Sequence, residues 1–90
     1  MIIEIYGKKD CKVCESAEKK VEHFLERWRL AQSVQLVFQD VATEHGAAES
    51  DFFDVFQVPS VLLKPDANSV VARWDGGAPP SEELQRRLSA

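Results

Sequence analysis

Two cysteines separated by two residues, Cys11-Lys12-Val13-Cys14, are the only cysteines in the 90-residue chain and constrain it more than any other feature. Ahead of them Met1 to Tyr6 is short, β-branched and aromatic, and Gly7-Lys8-Lys9-Asp10 is a polar turn. A long amphipathic stretch follows, so the local order reads strand, loop, cysteine, helix. The first cysteine therefore falls at or just before a helix N-terminus. Unpaired backbone N–H groups and the positive end of the helix dipole stabilise a thiolate there, and Lys8, Lys9 and Lys12 add positive charge. Cys11 is the expected nucleophile. Cys14, one turn further in, is close enough to attack a mixed disulfide on Cys11 and is expected to be the more buried of the two.

A chain of this length with 44% hydrophobic residues fits one domain spanning residues 1–90, able to bury roughly 60 to 65% of its unfolded surface. The net charge is −4, and the basic residues are scattered among acids, which argues against a nucleic-acid partner. Ile2-Ile3 is followed at once by Glu4 and then by Lys8-Lys9-Asp10, which is not a signal pattern, and no apolar run approaches membrane-spanning length. A soluble, cytoplasmic protein with no membrane partner is expected. In a reducing compartment a close cysteine pair serves catalysis or metal binding rather than a permanent staple, and a C-x-x-C near a β-α-β pattern points to redox work.

From Lys12 to about Leu30, Cys14, Ala17, Val21, Phe24, Leu25 and Trp28 recur on one helical face, with charged residues elsewhere. His23 lies roughly opposite Cys14 around that helix and is expected to face water. Ser33 to Val41 predicts a second strand. Ala42 to Gly46 reads as a loop or frayed helical start with Thr43 as N-cap, after which Ala48, Phe52, Val55 and Phe56 recur at helical spacing. Val58-Pro59 interrupts that helix. Ser60 to Lys64 predicts a third strand, Pro65-Asp66-Ala67-Asn68 a turn, and Ser69 to Trp74 a fourth strand completing a hairpin that Gly76-Gly77 ends. Ser81 is the expected N-cap of a last helix in which Leu84 and Leu88 share a face.

The order β-α-β-α-β-β-α, with a C-x-x-C opening the first helix and Val-Pro starting the third strand, resembles the thioredoxin fold in its minimal, glutaredoxin-sized form, an α/β architecture with a four-stranded mixed sheet. Ile5-Tyr6-Gly7-Lys8 running into Cys11-x-x-Cys14 looks like the glutaredoxin opening, and Gln57-Val58-Pro59-Ser60-Val61 like that family's Thr-Val-Pro stretch. The resemblance implies a cis Pro59 beside the sulfurs, with the Val58 backbone presented to an extended substrate or to glutathione. It further implies a substrate groove flanked by Gly76 and Gly77, and Lys8 as a partner for a glutathione carboxylate. Departures accompany it. Gly76-Gly77 is followed by Ala78-Pro79-Pro80 instead of the Ser/Asp-type anchor of glutaredoxins, and Ile5 stands where thioredoxins bury an aspartate. The general base for Cys14 is left unassigned.

The expected chemistry is dithiol–disulfide exchange on a disulfide-containing protein, with the oxidised pair reset by a thioredoxin reductase-type reductant or by glutathione, no cofactor, and a monomeric protein. Three other readings compete. One is a glutathione-dependent glutaredoxin. Another is metal or Fe–S binding, for which two thiolates supply half a tetrahedral site and His23 and His45 are the only histidines. The third is a non-enzymatic adapter that uses the Val58-Pro59 groove. Trp28 and Trp74 read as packing residues, and Tyr6 as core or as a flank of the active site.

Overall fold

Side-chain alternation along the first strand divides the molecule in two. Ile3 and Ile5 point to one face of the sheet and Glu4 and Tyr6 to the other, and all four are buried. The computed structural model describes residues 1–89. In chain order its elements are β1 (Ile2–Gly7), α1 (Lys12–Arg27), β2 (Gln35–Asp40), α2 (Glu44–Phe52), β3 (Ser60–Lys64), β4 (Ala72–Asp75) and α3 (Ser81–Leu88). This is the order expected from the sequence. The four strands form one mixed sheet, β2-β1-β3-β4, in which β1 runs parallel to β2 and antiparallel to β3, and β3 and β4 form an antiparallel pair.

The first face is apolar. Ile3, Ile5, Val61 and Leu63 pack with Val21 and Leu25 of α1 and Leu84 of α3, and Ala72, Trp74, Phe24 and Trp28 close the margins. Full burial of each such aliphatic side chain contributes about 1.5–3 kcal/mol. Trp28 and Trp74 are thus packing residues, as read from the sequence, and His23 is exposed.

The opposite face combines a smaller apolar cluster of Tyr6, Leu62 and Val55, with Val41, Phe53 and Val58 against it, and a buried polar group. Glu4 and Lys64, 5% and 3% exposed, form an ion pair of 2.9 Å, and the same carboxylate accepts hydrogen bonds from the Tyr6 hydroxyl (2.6 Å) and from Gln39 Nε2 (3.0 Å). The Lys64 ammonium lies 4.0 Å from the centre of the Phe53 ring. Burial pushes the Glu4 carboxyl up, but the bonds from Tyr6, Gln39 and Lys64 outweigh it, and its pKa falls below the ordinary value. Burial first, and then the bond to Glu4, raises that of Tyr6. Tyr6 therefore belongs to the core, with its hydroxyl committed to Glu4.

Several boundaries differ from the sequence reading, and at the helix ends the reason is local. α1 stops at Arg27 because Arg29 turns left-handed (φ 59°), letting Leu30 N–H bond Leu25 C=O (2.8 Å) and Arg29 N–H bond Glu26 C=O (3.1 Å), a Schellman ending without glycine. α2 starts where Thr43 was expected to cap it, Thr43 Oγ accepting the Gly46 N–H at 3.0 Å, but it ends at Phe52 through the same motif with Asp54 (φ 55°) as the left-handed residue. The expected stripe Ala48, Phe52, Val55, Phe56 is consequently not a core face. Gly46 and Ser50 are the residues α2 buries, Val55 lies beyond the helix in the core, and Phe52 and Phe56 are exposed. Strands β2 and β4 are shorter than expected, and the N-cap of α3 is Pro80, with Ser81 already helical and making no capping bond.

Two measurements test this account. A Lys64→Met variant should lose about 3–5 kcal/mol in urea unfolding because it leaves the Glu4 carboxylate buried without its cation, and adding Glu4→Gln should restore a large part of the loss. The pH profile of stability should have two limbs. Glu4 is depressed from 4.5, so its contribution is complete above about that pH and disappears as pH falls through the lower folded value. Tyr6 is raised from 10.0, so its contribution is complete below that pH and is lost at higher pH. An acid limb that persists unchanged in Glu4→Gln would contradict the assignment.

Candidate active site

The cysteines are placed by the end of β1. Gly7, the last residue of that strand, faces the same side as Ile3 and Ile5, and a Cβ built on it would lie 3.0 Å from Cys14 Cβ and 3.0 Å from the Phe38 ring. Contacts that short would oblige Cys14 or the Phe38 ring to give way by a few tenths of an ångström, so glycine favours the close approach of α1. Cys14 is fully buried as a result, whereas Cys11 is partly exposed. The two are joined in a disulfide with Cα atoms 5.2 Å apart.

Cys11 is the N-cap of α1. Its backbone is extended (φ −117°, ψ 107°), and its sulfur accepts the Cys14 N–H at 3.1 Å. The sulfur thus occupies the place a serine or aspartate oxygen takes at other helix starts, on the positive end of the helix dipole. Lys8, Lys9 and Lys12 surround it in sequence and are exposed.

The Val58–Pro59 bond is cis, as the resemblance implied. Pro59 is buried and precedes β3, whose Ser60 pairs with Tyr6 of β1; continued by one residue, that register sets Pro59 against Gly7, the residue that Cys14 also abuts. Gly76 joins from the other side, its N–H donating to the Pro59 carbonyl at 2.7 Å with φ at 96°, a left-handed conformation that disfavours any other residue. Gly77 has open space around it and no such requirement. Lys8 and Val58 line one groove together with Val41, Val55 and Phe56. Of the residues singled out in the sequence, Cys11, Cys14, Pro59 and Gly76 therefore gather about Gly7, Lys8 and Val58 border them, and Gly77 stands apart.

A polar clamp not read from the sequence fixes the proline loop. The Ser60 hydroxyl, fully buried, is 2.7 Å from the Gln57 carbonyl and 2.9 Å from Asp75 Oδ1, and shares its one proton between them. Arg73 reaches Asp75 Oδ1 (3.0 Å), Phe53 O (2.9 Å) and Asp54 O (3.0 Å). The Arg73 bond is the main reason the Asp75 carboxyl sits below its ordinary pKa, with Ser60 reinforcing it. Carbonyls on both sides of residues 55–56 are thereby tied to β4 and β3. The only sequence signal was the alternation Arg73-Trp74-Asp75, which places both charged residues on the face opposite Trp74. Ile5, at the position of the thioredoxin aspartate, is buried among aliphatic side chains, and Glu4 points to the face away from α1.

Among the described residues no group of three or more histidine, cysteine or acidic side chains is arranged to hold a metal, and no helix is long and apolar enough to cross a membrane.

No family model and no curated protein matches the chain. Solved structures do. Thioredoxin 1 from Thermosipho africanus is 22% identical, with a TM-score of 0.74 over 99% of this chain and 96% of that one. Thioredoxin-2 of the malaria parasite, described as a component of its protein secretion machinery, is 17% identical, with a TM-score of 0.74 over 98% of this chain and 80% of that one. Oxidised thioredoxin O2 from Arabidopsis thaliana is 11% identical, with a TM-score of 0.72 over 98% and 71%. At these identities the likeness is one of architecture, and the chain has the thioredoxin fold.

Proposed function

We propose that the protein is a thiol–disulfide oxidoreductase acting on protein disulfides, a single thioredoxin-like domain that works as a monomer. The observation that carries this is the inequality of two bonded sulfurs: Cys11 partly exposed at the N-cap of α1 and Cys14 fully buried one turn in, in a fold whose β3, opened by a cis proline, pairs with the strand that leads to them. In the reduced protein the Cys11 thiolate inherits the N-cap position and its N–H donor. It attacks one sulfur of a substrate disulfide; the other substrate sulfur leaves as thiolate, and a mixed disulfide forms. Cys14, once deprotonated, attacks the Cys11 sulfur, expels the second substrate thiolate and restores the Cys11–Cys14 bond. Two electrons have passed to the substrate, and two protons complete its thiols.

A reductase of the thioredoxin reductase type, or glutathione, then returns two electrons to the pair. In the cytoplasm, the compartment we assign, the reducing poise favours net substrate reduction. Val58 offers its backbone N–H and C=O to an extended substrate strand, with Pro59 and Gly76 as the floor. A glutathione-dependent variant of the same chemistry has one observation in its favour: Lys8 and Val58 share a groove, which suits a carboxylate next to a peptide backbone. Against it stands Ala78-Pro79-Pro80, which offers no side-chain anchor after Gly77.

Insulin reduction, coupled either to NADPH and thioredoxin reductase or to glutathione and glutathione reductase, separates the two electron sources. Cys11→Ser should reduce turnover at least about a thousandfold with either. Cys14→Ser should instead accumulate a mixed disulfide on Cys11, visible as added substrate mass that dithiothreitol removes. At neutral pH iodoacetamide should label Cys11 of the reduced protein well before Cys14, because only the first is exposed and held as thiolate by a helix end. Turnover that survives Cys11→Ser would eliminate the nucleophile assignment, and none in the wild type would favour an adapter.

A further inference from the structure

Phe56 is 86% exposed although it sits three residues from the buried Pro59. It is not a stray apolar residue. With Val41, Val55 and Val58 it walls a groove of about 420 Å³, within the roughly 300–1,000 Å³ range of ligand clefts. Nor is its exposure a consequence of a loose loop. Arg73 holds the carbonyls of Phe53 and Asp54, Ser60 holds that of Gln57, and the Val55 N–H is bonded to Ser50 O at 2.8 Å. A backbone pinned on both sides of the residue keeps the ring in water, where an apolar surface of this size gains free energy only by being covered.

The groove also has a charge preference. Lys8 is the one charged side chain among the seven residues lining it, in a chain whose net charge is −4. Lys8 precedes Cys11 by three residues and Val58 adjoins Pro59, so the groove is lined by the two segments that lead into the cysteine pair and the cis turn. A chain segment whose cysteine faced Cys11 would run its flanking residues over it.

We propose that Phe56 and Lys8 form a docking ridge for an extended, disulfide-bearing segment of a protein substrate, taking an apolar side chain against the ring and a neighbouring carboxylate on the ammonium. The identity of the occupant as substrate rests on the oxidoreductase function proposed above; the ridge itself does not. The test is equilibrium binding to the oxidised protein of a fluorescein-labelled peptide in which leucine and aspartate flank a central serine. The serine replaces the cysteine, so no covalent capture contributes.

Phe56→Ser should weaken binding about tenfold, with an unchanged thermal midpoint because the ring is outside the core. A peptide with lysine in place of aspartate should bind the wild type several-fold more weakly, and Lys8→Glu should reverse that preference. Equal affinity of wild type and Phe56→Ser, or no discrimination between the two peptides, would overturn the proposal. So would S-methylglutathione displacing the peptide while binding Phe56→Ser as tightly as wild type, since the site would then belong to a small thiol. Peptide binding intact in a protein that turns over no disulfide would remove the redox function and leave the ridge standing.

Discussion

The close approach at Gly7 is the constraint on which the site depends. A strand brings its backbone closest to a helix where no Cβ intervenes, and here the space a Cβ would need is crowded by Cys14 Cβ and the Phe38 ring. That approach buries the second sulfur completely and leaves the first at the helix N-cap, partly in water. The same register that ends β1 at Gly7 sets Pro59 on its other flank. Sulfur asymmetry and proline position are thus two consequences of one backbone contact, and neither needs special chemistry from Lys12 or Val13.

The two faces of the sheet divide the labour. The Ile3–Ile5 side is an aliphatic core that fixes α1 and so fixes the depth of Cys14. On the other side Tyr6, Leu62 and Val55 form a smaller apolar cluster, Glu4 is buried accepting from Tyr6, Gln39 and Lys64, and at the half-exposed margin Arg73 and Ser60 converge on Asp75. Buried ion pairs are poor sources of net stability compared with apolar packing, but they are exacting about geometry, because each unpaired member would be costly. Polar pairing of this kind suits an element that must hold an irregular loop in one conformation. The loop from Phe53 to Gln57 has no regular secondary structure of its own, and its Phe53, Asp54 and Gln57 carbonyls are satisfied by side chains from β3 and β4.

Much of this was legible in the sequence, for physical reasons that also explain what was not. Strand and helix order followed from apolar periodicity in β1, α1 and β3, where burial on a face imposes the spacing. Cys11 as an N-cap followed from the polar turn before it. The helix ends were not legible because both Schellman turns place a non-glycine residue, Arg29 and Asp54, in the left-handed conformation, and the usual glycine marker is missing. Phe52 and Phe56 were misplaced because spacing alone cannot tell a buried stripe from an exposed one; a helix that buries Gly46 and Ser50 turns its small residues inward. The pairings Glu4–Lys64 and Ser60–Asp75 gave no local signal, since the partners lie 60 and 15 residues apart.

Those long-range polar contacts connect the parts of the site that the cysteines do not reach. Gly76 donates to the Pro59 carbonyl, and Asp75, its neighbour, bonds Ser60 on the far side of the same proline. The end of β4 therefore grips the cis turn from both sides, while Arg73, two residues earlier on the same strand, grips the loop that leads into it. The sulfurs are consequently held by one pair of elements, β1 and α1, and the polar ties of the cis turn come from another strand, β4.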